Sequence, residues 1–151
     1  MKNTFLSLSA ILILSLSATA QKNKKATPAK LNVPENVNVS FKSSFATVEK
    51  NEWNKTYMGN YVANFINAEQ LKQSVEYNEA GVIVKTKTMY APENLPMNVS
   101  TALETRYAGA KVSECIKMEI PGVTPYYKLK IETTNNTKKE LFISEEGTVV
   151  E

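Results

Sequence analysis

The segment VPENV at residues 33–37 is followed by a similar segment, LPMNV, at residues 95–99. The two segments start at positions 33 and 95, which is a separation of 62 residues. The same separation relates Phe41 to Leu103. Internal similarity at a fixed spacing is typical of a chain built from repeated structural units. We therefore expect the chain to contain two tandem repeats.

Each of these segments opens a predicted helix. Proline is favourable in the first turn of a helix, and Val37, Phe41 and Phe45 follow it with helical spacing. Beyond each helix the apolar residues alternate with polar ones, as in the strands of a half-buried antiparallel sheet. We expect an α+β fold with repeats at residues 31–90 and 95–151, each with one helix packed on a sheet of about four strands.

The strand predicted at residues 111–120 has one apolar and one charged face. Ile116 and Met118 share the first face, and Lys117 lies on the second. Because a sheet with one apolar face must bury that face, we expect the helix to cover the side of Ile116 and Met118.

The first twenty residues have the features of an export signal. Lys2 gives a positive start, an apolar run follows, and ATA at residues 18–20 has the small residues that signal peptidase reads. The apolar run is shorter than a helix that spans a bilayer. We predict a signal peptide at residues 1–20, cleavage between Ala20 and Gln21, and a periplasmic or secreted mature protein with no membrane span.

Residues 21–30 are polar and lysine-rich, so we interpret them as a flexible leader. The chain has 18 Lys and Arg residues against 15 acidic residues. Five of these lysines lie before residue 31, so 13 cations and all 15 acids remain beyond it, a net charge of −2. A nucleic-acid-binding domain carries its positive charge on the folded surface, and we therefore expect no nucleic-acid partner.

The sequence contains no histidine and no aspartate. This excludes Ser-His-Asp and Cys-His nucleophilic sites and metal sites that use histidine. No glycine-rich phosphate-binding motif is present. Cys115 is the single cysteine, which excludes an internal disulfide and favours a role as a small apolar residue. We predict no enzyme activity, no catalytic residues, no cofactor and no metal site.

The chain resembles the PepSY-like family of exported bacterial proteins, which is also described as β-lactamase-inhibitor-protein-like. The resemblance rests on the two helix-opening segments, on Trp53, on YVANF at residues 61–65 and on VEYNEAG at residues 75–81. It covers residues 31–151 and implies a periplasmic α+β domain with two repeats. It also implies a binding or inhibitory module directed at a secreted or envelope protein.

The candidate binding residues are aromatic and cationic. Trp53 and Tyr57 lie close together on one predicted hairpin, and aromatic side chains bury a large area at low entropic cost. Tyr126 is out of phase with the apolar face of its strand and lies beside Lys128 and Lys130. The alternative for Trp53 and Tyr57 is that they belong to the core or stabilise the sheet through cross-strand pairs. The alternative for Tyr126, Lys128 and Lys130 is an ordinary solvated sheet face.

Two functions remain open from the sequence. The first is a non-enzymatic exported binding module, a monomer or weak dimer, that inhibits or regulates an unidentified envelope or secreted protein. The second is a carrier of a small apolar ligand, with its pocket between helix and sheet.

Overall fold

The computed structural model describes residues 31–150. This part of the chain contains two α-helices, one short 3-10 helix and eight strands. The predicted signal peptide, its cleavage point and the leader lie outside these residues. None of the described helices is long and apolar enough to cross a membrane. In chain order the elements are α1 (Glu35–Ser44), β1 (Asn51–Lys55), β2 (Tyr61–Ile66), β3 (Lys72–Tyr77), β4 (Ile83–Tyr90), a short 3-10 helix (Pro92–Asn94), α2 (Met97–Arg106), β5 (Lys111–Glu119), β6 (Tyr126–Glu132), β7 (Lys138–Ser144) and β8 (Val149–Val150).

All eight strands belong to one antiparallel sheet, in which the order in space equals the order in the chain. Within each half, neighbouring strands follow one another directly, whereas α2 lies between β4 and β5 in the chain. The pairing of β4 with β5, for example Tyr90 opposite Cys115, joins the two halves into one sheet. The expected α+β class, with helices on an antiparallel sheet, is confirmed.

Both helices pack on the same face of the sheet, which we call the helix face. Val37 of α1 is fully buried in one core with Ala63 and Val75, and Val99 of α2 is fully buried in a second core with Leu129. Burial of a valine side chain stabilises the fold by about 1.5–3 kcal/mol. The valine that ends each doubled segment therefore anchors its helix on the sheet.

The doubled prolines stand just before the helices. Pro34 and Pro96 are the N-cap residues, and their carbonyl groups accept the first helical hydrogen bonds, from Asn38 at 3.1 Å and Ser100 at 2.9 Å. Neither helix has a side-chain cap. Because the proline ring restricts φ to about −65°, close to the −55° and −56° observed at the two caps, it limits the direction in which each helix leaves the preceding chain.

The face of β5 that contacts the helices is not the expected one. Cys115 lies opposite Leu129 and Lys117 lies opposite Tyr127, and both of these partners are buried in the core under α2. Lys117 is therefore on the helix face, and Met118 is on the other. The prediction for Ile116 and Met118 is wrong because register with β4 and β6, and not local polarity, decides which face of a strand is buried.

Ion pairs make the position of Lys117 tolerable. Its Nζ lies 2.6 Å from Oε1 of Glu145, in the turn between β7 and β8, and 3.6 Å from Oε1 of Glu119. The hydrogen bond to Glu145 raises the pKa of Lys117, so this partly buried ammonium stays charged. Cys115 is 1% exposed, and burial raises its pKa to about 11, so the thiol packs as a protonated, apolar group.

Two turn glycines lie directly against the first turns of the helices. Gly81, between β3 and β4, has φ +82°, and a Cβ added to it would lie 2.6 Å from the carbonyl oxygen of Asn36. Gly147, between β7 and β8, has φ +89°, and its Cβ would lie 2.9 Å from the carbonyl oxygen of Asn98. Asn36 and Asn98 are the fourth residues of the two doubled segments, so each segment touches the turn of its own half.

The other hairpin turns show which constraint matters at these glycines. Gln70 and Asn136 have φ of +62° and +57°, so a side chain is accommodated at this turn position when space is available. Gly59 has φ +92° but nothing within 4 Å of its added Cβ. Contact with a helix backbone therefore distinguishes Gly81 and Gly147 from the other turn positions.

This distinction predicts different costs for the same substitution. Gly59→Ala should lower the free energy of unfolding by about 1–2 kcal/mol, because only the positive φ is strained. Gly81→Ala and Gly147→Ala should each lower it by about 2 kcal/mol more, because the methyl group also displaces the helix. Urea unfolding of the three variants measures the difference, and equal losses at all three glycines would contradict the proposed contact.

Candidate functional site

The face of the sheet opposite the helices, which we call the open face, carries a continuous row of side chains across β4–β8. Met89 lies opposite Ile116, Ile116 opposite Lys128, Lys128 opposite Phe142, and Phe142 opposite Val150. Four of these five residues are apolar, yet Met89 is 43% exposed and Val150 is 58% exposed. Apolar groups thus lie side by side on a face that neither described helix covers.

A second row widens this surface. Met118 lies opposite Tyr126, and the ring of Tyr126 packs edge-on against Phe142 with centroids 5.9 Å apart. Met118 is only 8% exposed although no helix lies over it, because side chains of neighbouring strands surround it on the open face. We call the combined surface the apolar patch; its members are Met89, Ile116, Met118, Tyr126, Phe142 and Val150.

The cations beside the apolar patch are paired with acids. Nζ of Lys128 lies 2.8 Å from Oε2 of Glu140 and 5.9 Å from the centroid of the Phe142 ring. Nζ of Lys130 lies 2.9 Å from Oε1 of Glu114, and this hydrogen bond raises the pKa of the lysine. The rim of the patch is thus charged but locally neutralised, so apolar contact is its main means of attracting a partner.

The structure brings together three of the predicted binding residues and separates the other two. Tyr126, Lys128 and Lys130 lie within or beside the apolar patch. Trp53 lies on the helix face, with its ring 5.4 Å from that of Phe41, as the alternative reading of this residue anticipated. Tyr57 lies in the β1–β2 turn and is 98% exposed.

Sequence reasoning missed most of the apolar patch. Phe142 and Val150 received no functional role, and Ile116 was assigned to the buried face. The sequence does contain a signal for the orientation of β5. Cys115 follows Trp53 by 62 residues, which is the separation of the doubled segments. That equivalence places Cys115 on the helix face and therefore turns Ile116 away from it.

A cleft of about 490 Å³ lies on the open face of the first half. Residues of the β1–β2 turn line one side of it, residues of β4 line the other, and side chains of β2 and β3 lie between them. We call it the polar cleft; its lining residues are Thr56, Tyr57, Met58, Val62, Asn64, Ser74, Glu76, Lys85 and Lys87.

Glu76 is the electrostatic centre of the polar cleft. Its carboxylate accepts hydrogen bonds of 2.8 Å from Nδ2 of Asn60 and from Nζ of Lys85. Burial opposes its ionisation, but these two hydrogen bonds, together with the positive charges of Lys85 and Lys87, outweigh that effect and hold the pKa of Glu76 below its usual value. Glu76 is therefore a paired carboxylate at neutral pH.

The fold is shared with proteins of known structure from Bacteroides. A DUF2874 family protein from Bacteroides ovatus superposes with a TM-score of 0.72 at 25% identity, over 80% of this chain and 86% of that one. A BLIP-like protein from Bacteroides fragilis superposes with a TM-score of 0.72 at 21% identity, over 80% and 85%. A protein from Bacteroides eggerthii, proposed to be periplasmic, gives a TM-score of 0.70 at 18% identity, over 80% and 88%.

These similarities support a BLIP-like fold. No protein-family model matches the sequence, and no curated protein matches it. The assignment to the PepSY-like family therefore stays a prediction.

The lowered pKa of Glu76 predicts a pH dependence of stability. Glu76→Gln should lower the free energy of unfolding by about 1 kcal/mol at neutral pH, because the ionised carboxylate is better paired in the folded chain than in the unfolded chain. This advantage is complete above the ordinary pKa of glutamate and is lost as the pH falls through the lowered pKa of Glu76. Urea unfolding across an acidic pH series measures the difference between wild type and variant.

Glu93→Gln, at an exposed residue of the 3-10 helix, is the matched control. It should leave the stability unchanged at every pH. A loss in Glu76→Gln that stays the same throughout the acidic range would show that the loss does not come from the carboxylate charge.

Proposed function

We propose that the protein is a non-enzymatic exported module that binds an envelope or secreted protein through its open face, as an inhibitor or regulator. The observation that carries this proposal is the apolar patch, which no element within residues 31–150 covers. Contiguous apolar surface on a folded domain marks an interaction site, whereas isolated apolar residues do not.

The composition of the patch favours a protein partner. Methionine and aromatic side chains are enriched at protein interfaces, and the patch contains Met89, Met118, Tyr126 and Phe142. It spans five adjacent strands, β4–β8, so it is a broad surface, whereas small-molecule sites are concave and enclose their ligands. The paired charges of Lys128 and Lys130 give the polar rim that surrounds the apolar centre of such interfaces.

The interface between helices and sheet gives no support to the small-ligand alternative. Val37 of α1 and Val75 lie in one core, Val99 of α2 and Leu129 lie in the other, and all four residues are 0% exposed. A carrier of a small apolar ligand would need open space between these residues. We therefore place the binding function on the opposite face.

We also propose that the two halves arose as tandem repeats. Both helices have ten residues, both follow a proline N-cap, and both end at an aromatic residue, Phe45 or Tyr107, with similar backbone angles. Both touch a turn glycine through the asparagine of the doubled segment. The likeness to a BLIP-like protein supports an inhibitory role, and the likeness to a protein proposed to be periplasmic supports a location in the periplasm.

Site-specific photo-crosslinking in the native envelope tests the binding face. A photoreactive phenylalanine analogue at position 126 should form one dominant adduct with a protein, and the same analogue at Thr101, exposed on α2, should not. Adding Met89→Glu places a charge in the patch at an exposed position and should reduce the adduct at position 126 by about tenfold, which is a loss of about 1.4 kcal/mol.

Circular dichroism should show that Met89→Glu leaves the fold intact. Equal adducts from positions 126 and 101, or an adduct at 126 that Met89→Glu does not weaken, would contradict binding through the apolar patch.

A further inference from the structure

We propose that the polar cleft is a second binding site and that it takes an acidic saccharide, a sugar that carries a carboxylate. The cleft shares no lining residue with the apolar patch. The inference therefore does not depend on the proposed protein partner. Its volume of about 490 Å³ lies within the range of small-ligand sites.

The position of the cleft within the sheet restricts how a ligand is recognised. It lies over β2 and β3, whose backbone groups are paired with strands on both sides. A peptide that adds to a sheet needs a free strand edge, and this part of the sheet has none. The ligand must be recognised by side chains, which favours a compact molecule with many polar groups of its own.

The side chains of β2 and β3 that lie between the two sides of the polar cleft can form hydrogen bonds with hydroxyl groups of a ligand. The hydroxyl of Ser74 donates to Oδ1 of Asn64 at 2.7 Å. The N–H groups of the Asn64 side-chain amide then have no hydrogen-bond partner among residues 31–150. Asn, Ser and Thr side chains both donate and accept hydrogen bonds, as a sugar hydroxyl does, so Asn64, Ser74 and Thr56 complement a polyhydroxylated ring.

Tyr57 supplies the apolar contact that such a ring also needs. It is 98% exposed and lines the cleft from the β1–β2 turn, beside Met58, which is 70% exposed. A pyranose has one apolar face of C–H groups as well as polar edges. The flat ring of a tyrosine presents an apolar body together with a polar tip, which matches a ligand of this mixed character.

The ammonium group of Lys87 favours a saccharide that carries a carboxylate over a neutral one. Lys85 is already paired with Glu76, whereas Lys87 is exposed and has no hydrogen bond or ion pair with the residues that the structure describes. The charge of Lys87 also acts on Glu76 and helps to lower the pKa of that carboxyl group. With two lysines and one carboxylate, the polar cleft carries a net charge of +1. A carboxylate on the ligand would form a charge-assisted hydrogen bond with this ammonium group, and a neutral sugar would not.

Isothermal titration calorimetry with the mature protein tests the proposal. The probes are trigalacturonic acid, a glucuronic acid oligosaccharide and an N-acetylmuramic acid saccharide, each with its neutral counterpart. At least one acidic probe should bind, and its neutral counterpart should bind at least about tenfold more weakly, because a hydrogen bond to a charged group is lost.

Two substitutions and a matched control locate the site. Tyr57→Ala and Lys87→Gln should each weaken binding of the acidic probe by about tenfold, by loss of the ring contact and of the charge. Lys138→Gln, at an exposed lysine of β7 outside the cleft, should leave binding unchanged. Both cleft residues are exposed, so unfolding is not expected, and circular dichroism checks this.

Several results would overturn the inference. They are failure of all three acidic probes to bind, binding that Tyr57→Ala and Lys87→Gln leave unchanged, and equal affinity for neutral and acidic sugars. Polyglutamate binding that depends on the same two residues, without saccharide binding, would assign the cleft to an acidic protein segment instead.

Discussion

The contact between a turn glycine and the first turn of a helix is the constraint on which the structure depends. It occurs once in each half, at Gly81 with Asn36 and at Gly147 with Asn98. In both places the helix carbonyl is too close to the turn for any Cβ. Each helix thereby meets its sheet at the last hairpin of its own half, and the buried valine beside the asparagine continues the contact into the core.

The same constraint decides where binding is possible. Because both contacts lie on one side of the sheet, both helices cover the helix face and the open face stays uncovered within residues 31–150. The pairing of β4 with β5 makes that open face continuous. The apolar patch extends from β4 over the second half and the polar cleft lies over the first half, so one sheet presents two chemically different surfaces.

Much of the fold could be predicted because short-range sequence patterns determine where its helices and strands lie. Proline followed by helical spacing located both helices, and alternation with turn glycines located the strands. The helix-face position of Lys117 could not be predicted in this way. A lysine flanked by Ile116 and Met118 indicates an exposed residue. Its actual place follows from the register of β5 with β4 and β6, and the ion pair with Glu145, across β6, makes that place tolerable.

The candidate surfaces were predicted less well than the fold for a related reason. Tyr126 was recognised because it breaks the alternation of a single strand. The row from Met89 to Val150 exists only through the register of five strands, which single-strand periodicity does not specify. Trp53 was predicted as a binding residue, but its ring packs against Phe41. This contact depends on α1, which precedes Trp53 in the chain, and alternation within one strand does not reveal it.

Hydrogen exchange of backbone amides in Gly147→Ala is the most direct test of the central claim, that the glycine contacts hold the helices on one face. We expect the amides of α2 to lose protection while those of β5–β7 and α1 keep most of theirs, because the methyl group separates one helix from an intact sheet. Protection that is lost evenly over the second half, or that stays unchanged in α2, would contradict it.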